Sequence, residues 1–276
     1  MKRTLLVINS DSGNAGSVDG EALASAFKAP GFDIVGKVTL PEGDLPTRAD
    51  LEARDIDTVA IYAGDGTISS LCSKLRGWAG EILVLPGGTM NLLSRRLHGG
   101  YTLTELVDLL PSINKAAAPV PVIMVDDVEI LTGLTVGPST RWGKVREGIR
   151  QADVTSLSET VPEAWSETLG DHGVWLKDVQ RGAYAGIFIE PHDSEYISVI
   201  AFKANSLGDM VNHGLAWLRR DFREGPHDEL GLMHSATVVG DQTETGILVD
   251  GEYADRTLPV ICHAAMSSVR FVRIST

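Results

Sequence analysis

TVAIYAGDGTISS, Thr58 to Ser70, sets an apolar run of strand-forming residues directly before a Gly-Asp-Gly-Thr turn and a stretch with helical spacing. That order describes a strand whose C-terminal end opens through small residues into a helix. The same unit recurs on both sides. TLLVIN (Thr4–Asn9), FDIVGKV (Phe32–Val38) and EILVLP (Glu81–Pro86) are apolar runs of the same length class. Helix-like stretches alternate with them: SVDGEALASAFKA (Ser17–Ala29), ADLEARD (Ala49–Asp55), TISSLCSKLRGW (Thr67–Trp78) and LTELVDLL (Leu103–Leu110). Strand and helix in strict alternation predict an α/β lobe with a parallel sheet over residues 1–120.

Beyond Val120 the pattern changes. PVIMVDDVEILTGLTV (Pro121–Val136), AYAGIFIE (Ala183–Glu190), YISVIAFKA (Tyr196–Ala204), HSATVVG (His234–Gly240), GILVDGEY (Gly246–Tyr253), LPVICHA (Leu258–Ala264) and SVRFVRI (Ser268–Ile274) are short strands joined by Asp, Gly or Asn turns. They predict a second, mostly antiparallel β lobe over 121–264, interrupted by helical segments around Trp142–Ala152 and Leu207–Phe222. The boundary falls in KAAAPVP (Lys115–Pro121), where Pro119 and Pro121 interrupt regular structure.

The 276 residues carry 24 Lys+Arg against 37 Asp+Glu, a net charge of −13. That balance argues against nucleic acid as the main partner, because phosphate backbones need a surplus of basic side chains on one face. The acidity is uneven, with 11 basic against 14 acidic residues up to Val120 and 13 against 23 after it. Two short stretches run the other way: RWGKVREGIR (Arg141–Arg150) and WLRRDFR (Trp217–Arg223), each with a Trp. They read either as solvated helix faces or as contacts to anionic lipid headgroups. The apolar run Leu5–Ile8 breaks at Asn9, too short for a secretory h-region, and no stretch approaches a membrane span. Cys72 and Cys262 sit in apolar surroundings that suit buried thiols in a reducing cytoplasm. No HxxxH, HExxH or GxSxG spacing is present, which disfavours zinc and serine-hydrolase chemistry.

Three loops in the first lobe follow strands and are rich in Gly and small polar residues: INSDSGNAGS (Ile8–Ser17), AGDGTISS (Ala63–Ser70) and LPGGTMN (Leu85–Asn91). In an open α/β sheet the ligand crevice lies beyond the strand C-termini, so such loops converge on one site. Gly-rich backbone N–H groups cradle phosphate oxygens, and a helix starting after Thr67 adds its positive end. Neither GxGxxG nor GxxxxGK[ST] occurs, which disfavours a Rossmann dinucleotide site or a P-loop.

The set NSDSG (Asn9–Gly13), GDGT (Gly64–Thr67), PGGTMN (Pro86–Asn91) and VDGE (Val249–Glu252) resembles, in order and spacing, the diacylglycerol kinase catalytic family, which includes bacterial lipid kinases and sphingosine kinases. The resemblance implies a first lobe like that of NAD kinase and phosphofructokinase, a β-sandwich second lobe, a last strand (265–276) returned to the first lobe, and ATP between the two. It implies ATP contacts from Asn9, Ser12, Gly13, Thr39, Gly64, Asp65, Gly66, Thr67, Gly88, Thr89 and Asn91. Asp65 is the expected organiser of Mg²⁺ and phosphates, and Glu252, with Asp250 beside it, the expected base that takes the acceptor proton. An alcohol attacking a γ-phosphoryl group needs such a base and a counter-charge for the phosphates.

The chain departs from the family pattern at Ser10, which replaces a Pro, at Ala63, which replaces the first Gly of the second loop, and at Leu92, which replaces an Asp. The expected function is a cytoplasmic ATP- and Mg²⁺-dependent kinase acting on a lipid alcohol, peripheral to the inner face of the membrane, with a homodimer suggested by relatives. The alternatives are a kinase for a soluble acceptor and a nucleotide- or lipid-binding protein with degraded catalysis, the latter raised by Ala63 and Leu92.

Overall fold

The computed structural model describes residues 1–12, 31–110, 116–141, 173–179, 182–202 and 227–274. The expected helices at 17–29, 142–152 and 207–222 lie outside the described residues, as do Gly13 and nearly all of both basic stretches. The chain divides into two compact units, Met1–Val120 with Met266–Thr276, and Pro121–Ala265.

In chain order the first unit holds β1 (Lys2–Asn9), β2 (Phe32–Leu40), α1 (Arg48–Ala53), β3 (Thr58–Ala63), α2 (Asp65–Lys74), β4 (Glu81–Pro86), α3 (Leu92–His98) and α4 (Leu103–Leu109), and it is completed by β16 (Arg270–Phe271). Its five strands run in the order β16-β4-β3-β1-β2, every pair parallel. β3 is buried at every residue, as is the Leu5–Ile8 stretch of β1, because helices cover both faces of a parallel sheet. Two helices start on capping boxes, Thr47 with Asp50 and Thr102 with Glu105. The helix predicted to start after Thr67 instead begins at Asp65, with Gly64 as its N-cap. Asp65, Gly66 and Thr67 are therefore a first helical turn rather than a loop.

The second unit holds β5 (Pro121–Val125), β6 (Val128–Ile130), β7 (Leu134–Val136), a 3-10 turn at Pro138–Arg141, β8 (Val174–Leu176), β9 (Gly186–Pro191), β10 (Ile197–Phe202), β11 (His227–Met233), β12 (Ser235–Gly240), β13 (Glu244–Val249), β14 (Glu252–Thr257) and β15 (Val260–Met266). They form a six-stranded sheet, β11-β10-β9-β7-β13-β14, and a five-stranded sheet, β6-β5-β15-β12-β8. The paired strands run antiparallel. One core joins the two: Ile123, Val125, Val238 and Cys262 from the smaller sheet pack in the same cluster as Val136, Ile189, Val199 and Ile247 from the larger. The alternation in β10, with Ile197, Val199 and Ala201 buried and the residues between them partly exposed, is the signature of a sandwich strand.

Candidate active site

In the first unit the loops leave the sheet at one edge, beyond the C-terminal ends of β1, β2, β3 and β4. Side chains then tie the loops to one another. From the first loop, Asn9 Nδ2 donates to Thr67 Oγ1 at 2.9 Å, and Ser12 Oγ accepts from the Gly64 amide at 3.0 Å. Asn9 also accepts from the Asp11 amide at 3.1 Å, which folds the loop back on itself. Ser10, which stands where the family pattern has a Pro, donates through its hydroxyl to the Leu40 carbonyl at 2.8 Å and pins the end of β2 to the first loop. Thr39 stands one residue earlier on β2, in register with Ile8.

The third loop presses against the second. A Cβ on Gly88 would stand 2.6 Å from the Gly64 Cα, and one on Gly87 would stand 2.6 Å from the Ala63 amide nitrogen. Backbone, not a movable side chain, occupies both places, so these positions admit only glycine. Asn91, in the left-handed region at φ 51°, accepts from the Gly88 amide at 2.7 Å and starts α3. Thr89 stays exposed on the loop.

Asp65 makes the firmest link. Its two carboxylate oxygens accept from the amides of Leu92 and Leu93, each at 3.0 Å. These are the first residues of α3, whose own N-cap Asn91 makes no side-chain cap bond. A carboxylate at a helix N-terminus satisfies orphan donors and meets the positive end of the helix dipole. Leu92 therefore contributes its N–H to the site and sends a half-buried side chain along α3, while Leu93 and Leu97 are buried. Ala63 ends β3 fully buried and outside the positive-φ residues, so its methyl costs no backbone strain.

Residues 3–125 match the model of the diacylglycerol kinase catalytic domain. This segment belongs to the diacylglycerol kinase catalytic family. Over the chain as a whole the fold is similar to a crystal structure of a diacylglycerol kinase from Bacillus anthracis str. Sterne, with TM-score 0.65, 14% identity, and coverage of 99% of this chain and 97% of that one. Two further structures from that organism give TM-scores of 0.64 and 0.63, each at 15% identity and each covering 99% of this chain, with 95% and 97% of theirs. No curated protein sequence matches the chain.

The donor set at the joined loops fits a polyphosphate. Gly-rich backbone lies at the mouth of the sheet, hydroxyl and amide side chains ring it, and α2 begins there without a side-chain cap. α3 offers less, because Asp65 already occupies its first two amides. A divalent ion held by protein alone does not fit. Among the described residues no group of three or more His, Cys, Asp or Glu stands together, and both oxygens of Asp65 already accept backbone N–H bonds.

In the second unit, the VDGE motif of the diacylglycerol kinase family resemblance is a two-residue hairpin turn. Val249 of β13 pairs with Glu252 of β14, and Asp250 and Gly251 take positive φ values of 49° and 90°. This is the twist that two-residue hairpins favour. An extended backbone would have placed Asp250 and Glu252 side by side, and the turn prevents it. Asp250 is only 4% exposed and its carboxylate points back to residues 131–133, while Glu252 is exposed at the start of an edge strand. The partner hydroxyl, Thr132 Oγ1, was not picked out from sequence, since a Thr in a Leu-Thr-Gly turn carries no distinguishing signal.

Proposed function

We propose that the protein is an ATP-dependent lipid kinase that transfers the γ-phosphoryl group to a hydroxyl of a diacylglycerol-like or other lipid alcohol. The reading is carried by the interlocking of the three strand-end loops within the segment that matches the diacylglycerol kinase catalytic domain. The first unit supplies the nucleotide loops. Asn9, Ser12, Gly64 and Gly88 fix their spacing, and the first turn of α2 offers N–H groups to phosphate oxygens. Asp65 holds the second and third loops in one arrangement, so catalysis draws on positioning and fixed dipoles. Magnesium belongs in this reading as the counter-ion of the nucleotide's phosphates.

The second unit supplies Glu252 as the group that takes the proton of the attacking hydroxyl. Its exposure leaves it open to an incoming substrate, as a general base requires. A lipid acceptor implies a visit to a membrane surface. Among the described residues no helix is long and apolar enough to cross a membrane, so the proposed contact is peripheral.

Transfer of label from γ-labelled ATP to a panel of diacylglycerol, monoacylglycerol, sphingoid bases and phosphatidylglycerol tests the reading. Label is expected in at least one lipid, with Glu252→Gln reducing incorporation by about 100-fold or more. Equal incorporation by wild type and Glu252→Gln, or label only in a soluble acceptor such as NAD, would overturn it.

A further inference from the structure

We propose that Asp250 is a positioning residue for Glu252, fixing where the base stands without itself touching the acceptor. The proposal rests on the reading of Glu252 as the base. Four donors converge on the Asp250 carboxylate. Oδ1 accepts from Thr132 N at 2.7 Å, Thr132 Oγ1 at 2.8 Å and Gly133 N at 3.4 Å, and Oδ2 accepts from Leu131 N at 3.1 Å. In the opposite sense, the Asp250 amide donates to the Gly133 carbonyl at 3.0 Å. The β13–β14 turn is thus stapled to the 131–133 connection between β6 and β7.

A carboxylate buried to 4% exposure needs such donors, since a charge taken out of water without them is costly. Its lone pairs are aimed into the protein, away from any acceptor in solvent. Glu252 has the complementary placement. It opens β14, which among the described residues pairs on one side only, with β13, at the edge of the six-stranded sheet, so the turn that precedes it sets where the strand starts. Both turn residues hold positive φ, which Asp and Gly adopt more readily than other residues. Removing the staple leaves an edge strand held only by its ladder to β13 and a two-residue turn, freer to twist at Glu252.

Asp250→Asn keeps the size and the tolerance for this backbone but turns an NH₂ toward N–H donors. The test measures phosphoryl transfer by wild type, Asp250→Asn, Glu252→Gln and the double variant at saturating ATP. Asp250→Asn is expected to lower kcat about 10- to 100-fold with the KM for ATP unchanged. In the Glu252→Gln background the same change is expected to cost less than about threefold, because the group it positions is gone. Fully additive losses would overturn the proposal, since a second base or a merely structural residue costs the same in both backgrounds. Amide hydrogen exchange reads the staple without reference to activity. Exchange at Leu131–Gly133 is expected to rise in Asp250→Asn and to carry through to Glu252 and Tyr253; unchanged exchange at 252–253 overturns the proposal whatever the transfer assay shows. Wild-type protein that labels no acceptor would sink the kinase reading instead, and the exchange data would still decide whether Asp250 sets Glu252.

Discussion

Asp65 shows how one side chain can lock two loops of a site together. Its two oxygens take the first two amides of α3, and that helix carries the Gly88–Asn91 turn on its N-terminal side. The Asp-to-Leu departure at position 92 makes sense in this setting, because the N–H and not the side chain of Leu92 is what the loop uses. Asparagine at position 65 has a single oxygen and turns an NH₂ toward the other donor. Asp65→Asn is therefore expected to lower stability by about 1–2 kcal/mol, the cost of one lost cap bond and an unsatisfied amide. Urea denaturation checks this; an unchanged midpoint would show that the paired bonds do not form. The Gly-Asp-Gly-Thr signal was plain in the sequence, but the use of its carboxylate was not, since the partner amides lie 27 and 28 residues away. The VDGE motif was legible too, but its Asp-Gly pair turns the chain where an extended strand was expected, and the depth of Asp250 depended on Thr132, 118 residues distant.

At the level of elements, α3 is fixed at its other end by His98. Its Nε2 lies 3.1 Å from the Val84 carbonyl of β4, and its Nδ1 accepts from the Ile274 amide at 3.4 Å. A carbonyl only accepts, so Nε2 carries the proton and the ring is neutral. Burial pushes the His98 pKa down to about 4, against a bond to Val84 that raises it and a nearby Arg273 charge that lowers it further. The unfolded chain takes up a proton near pH 6.5, the native protein only near 4. Unfolding is therefore coupled to proton uptake between these values, and stability falls as pH drops from 6.5 towards 4. The expected loss approaches about 3 kcal/mol over that window, with no contribution from His98 to the pH dependence above it. Denaturation midpoints of wild type and His98→Gln against pH measure it; identical slopes from pH 6.5 to 4 would contradict the neutral, buried ring.

Strand and helix alternation in the first unit was readable because each parallel strand is a continuous apolar run, and the antiparallel strands were readable wherever one face is buried. β8, β11 and β14 were missed or merged for the converse reason. β8 has three residues, and β11 and β14 are edge strands whose residues are mostly exposed or half-buried, so no alternation marks them.

Across the whole molecule, chemistry and packing are divided between two cores, one around Leu6, Tyr62, Leu83 and Val272 and the other around Val136, Ile189 and Val238. Both cysteines are buried thiols outside any disulfide, and desolvation pushes the Cys262 thiol up to about 12, an inert group inside the second core. The net charge of −13 is the sum over a chain whose acidity is concentrated after Val120, where residues 151–195 alone carry 9 acidic and 2 basic side chains. Such a distribution keeps the first 120 residues, with 11 basic against 14 acidic, much nearer neutrality than the rest. Fold class was legible at this scale from the change of rhythm at Val120, because parallel and antiparallel sheets bury their strands differently.

The most direct measurement is calorimetric titration of ATP into the wild-type protein and into Gly88→Ala, with circular dichroism confirming that the variant is folded. Gly88 has backbone 2.6 Å from where a Cβ would sit, so a methyl there forces the second and third loops apart. Wild type is expected to bind ATP, and Gly88→Ala to bind it about tenfold or more weakly, a difference of about 1.4 kcal/mol. Absence of binding by wild type, or equal affinity in a folded Gly88→Ala variant, would contradict a nucleotide site built by the meeting of these loops.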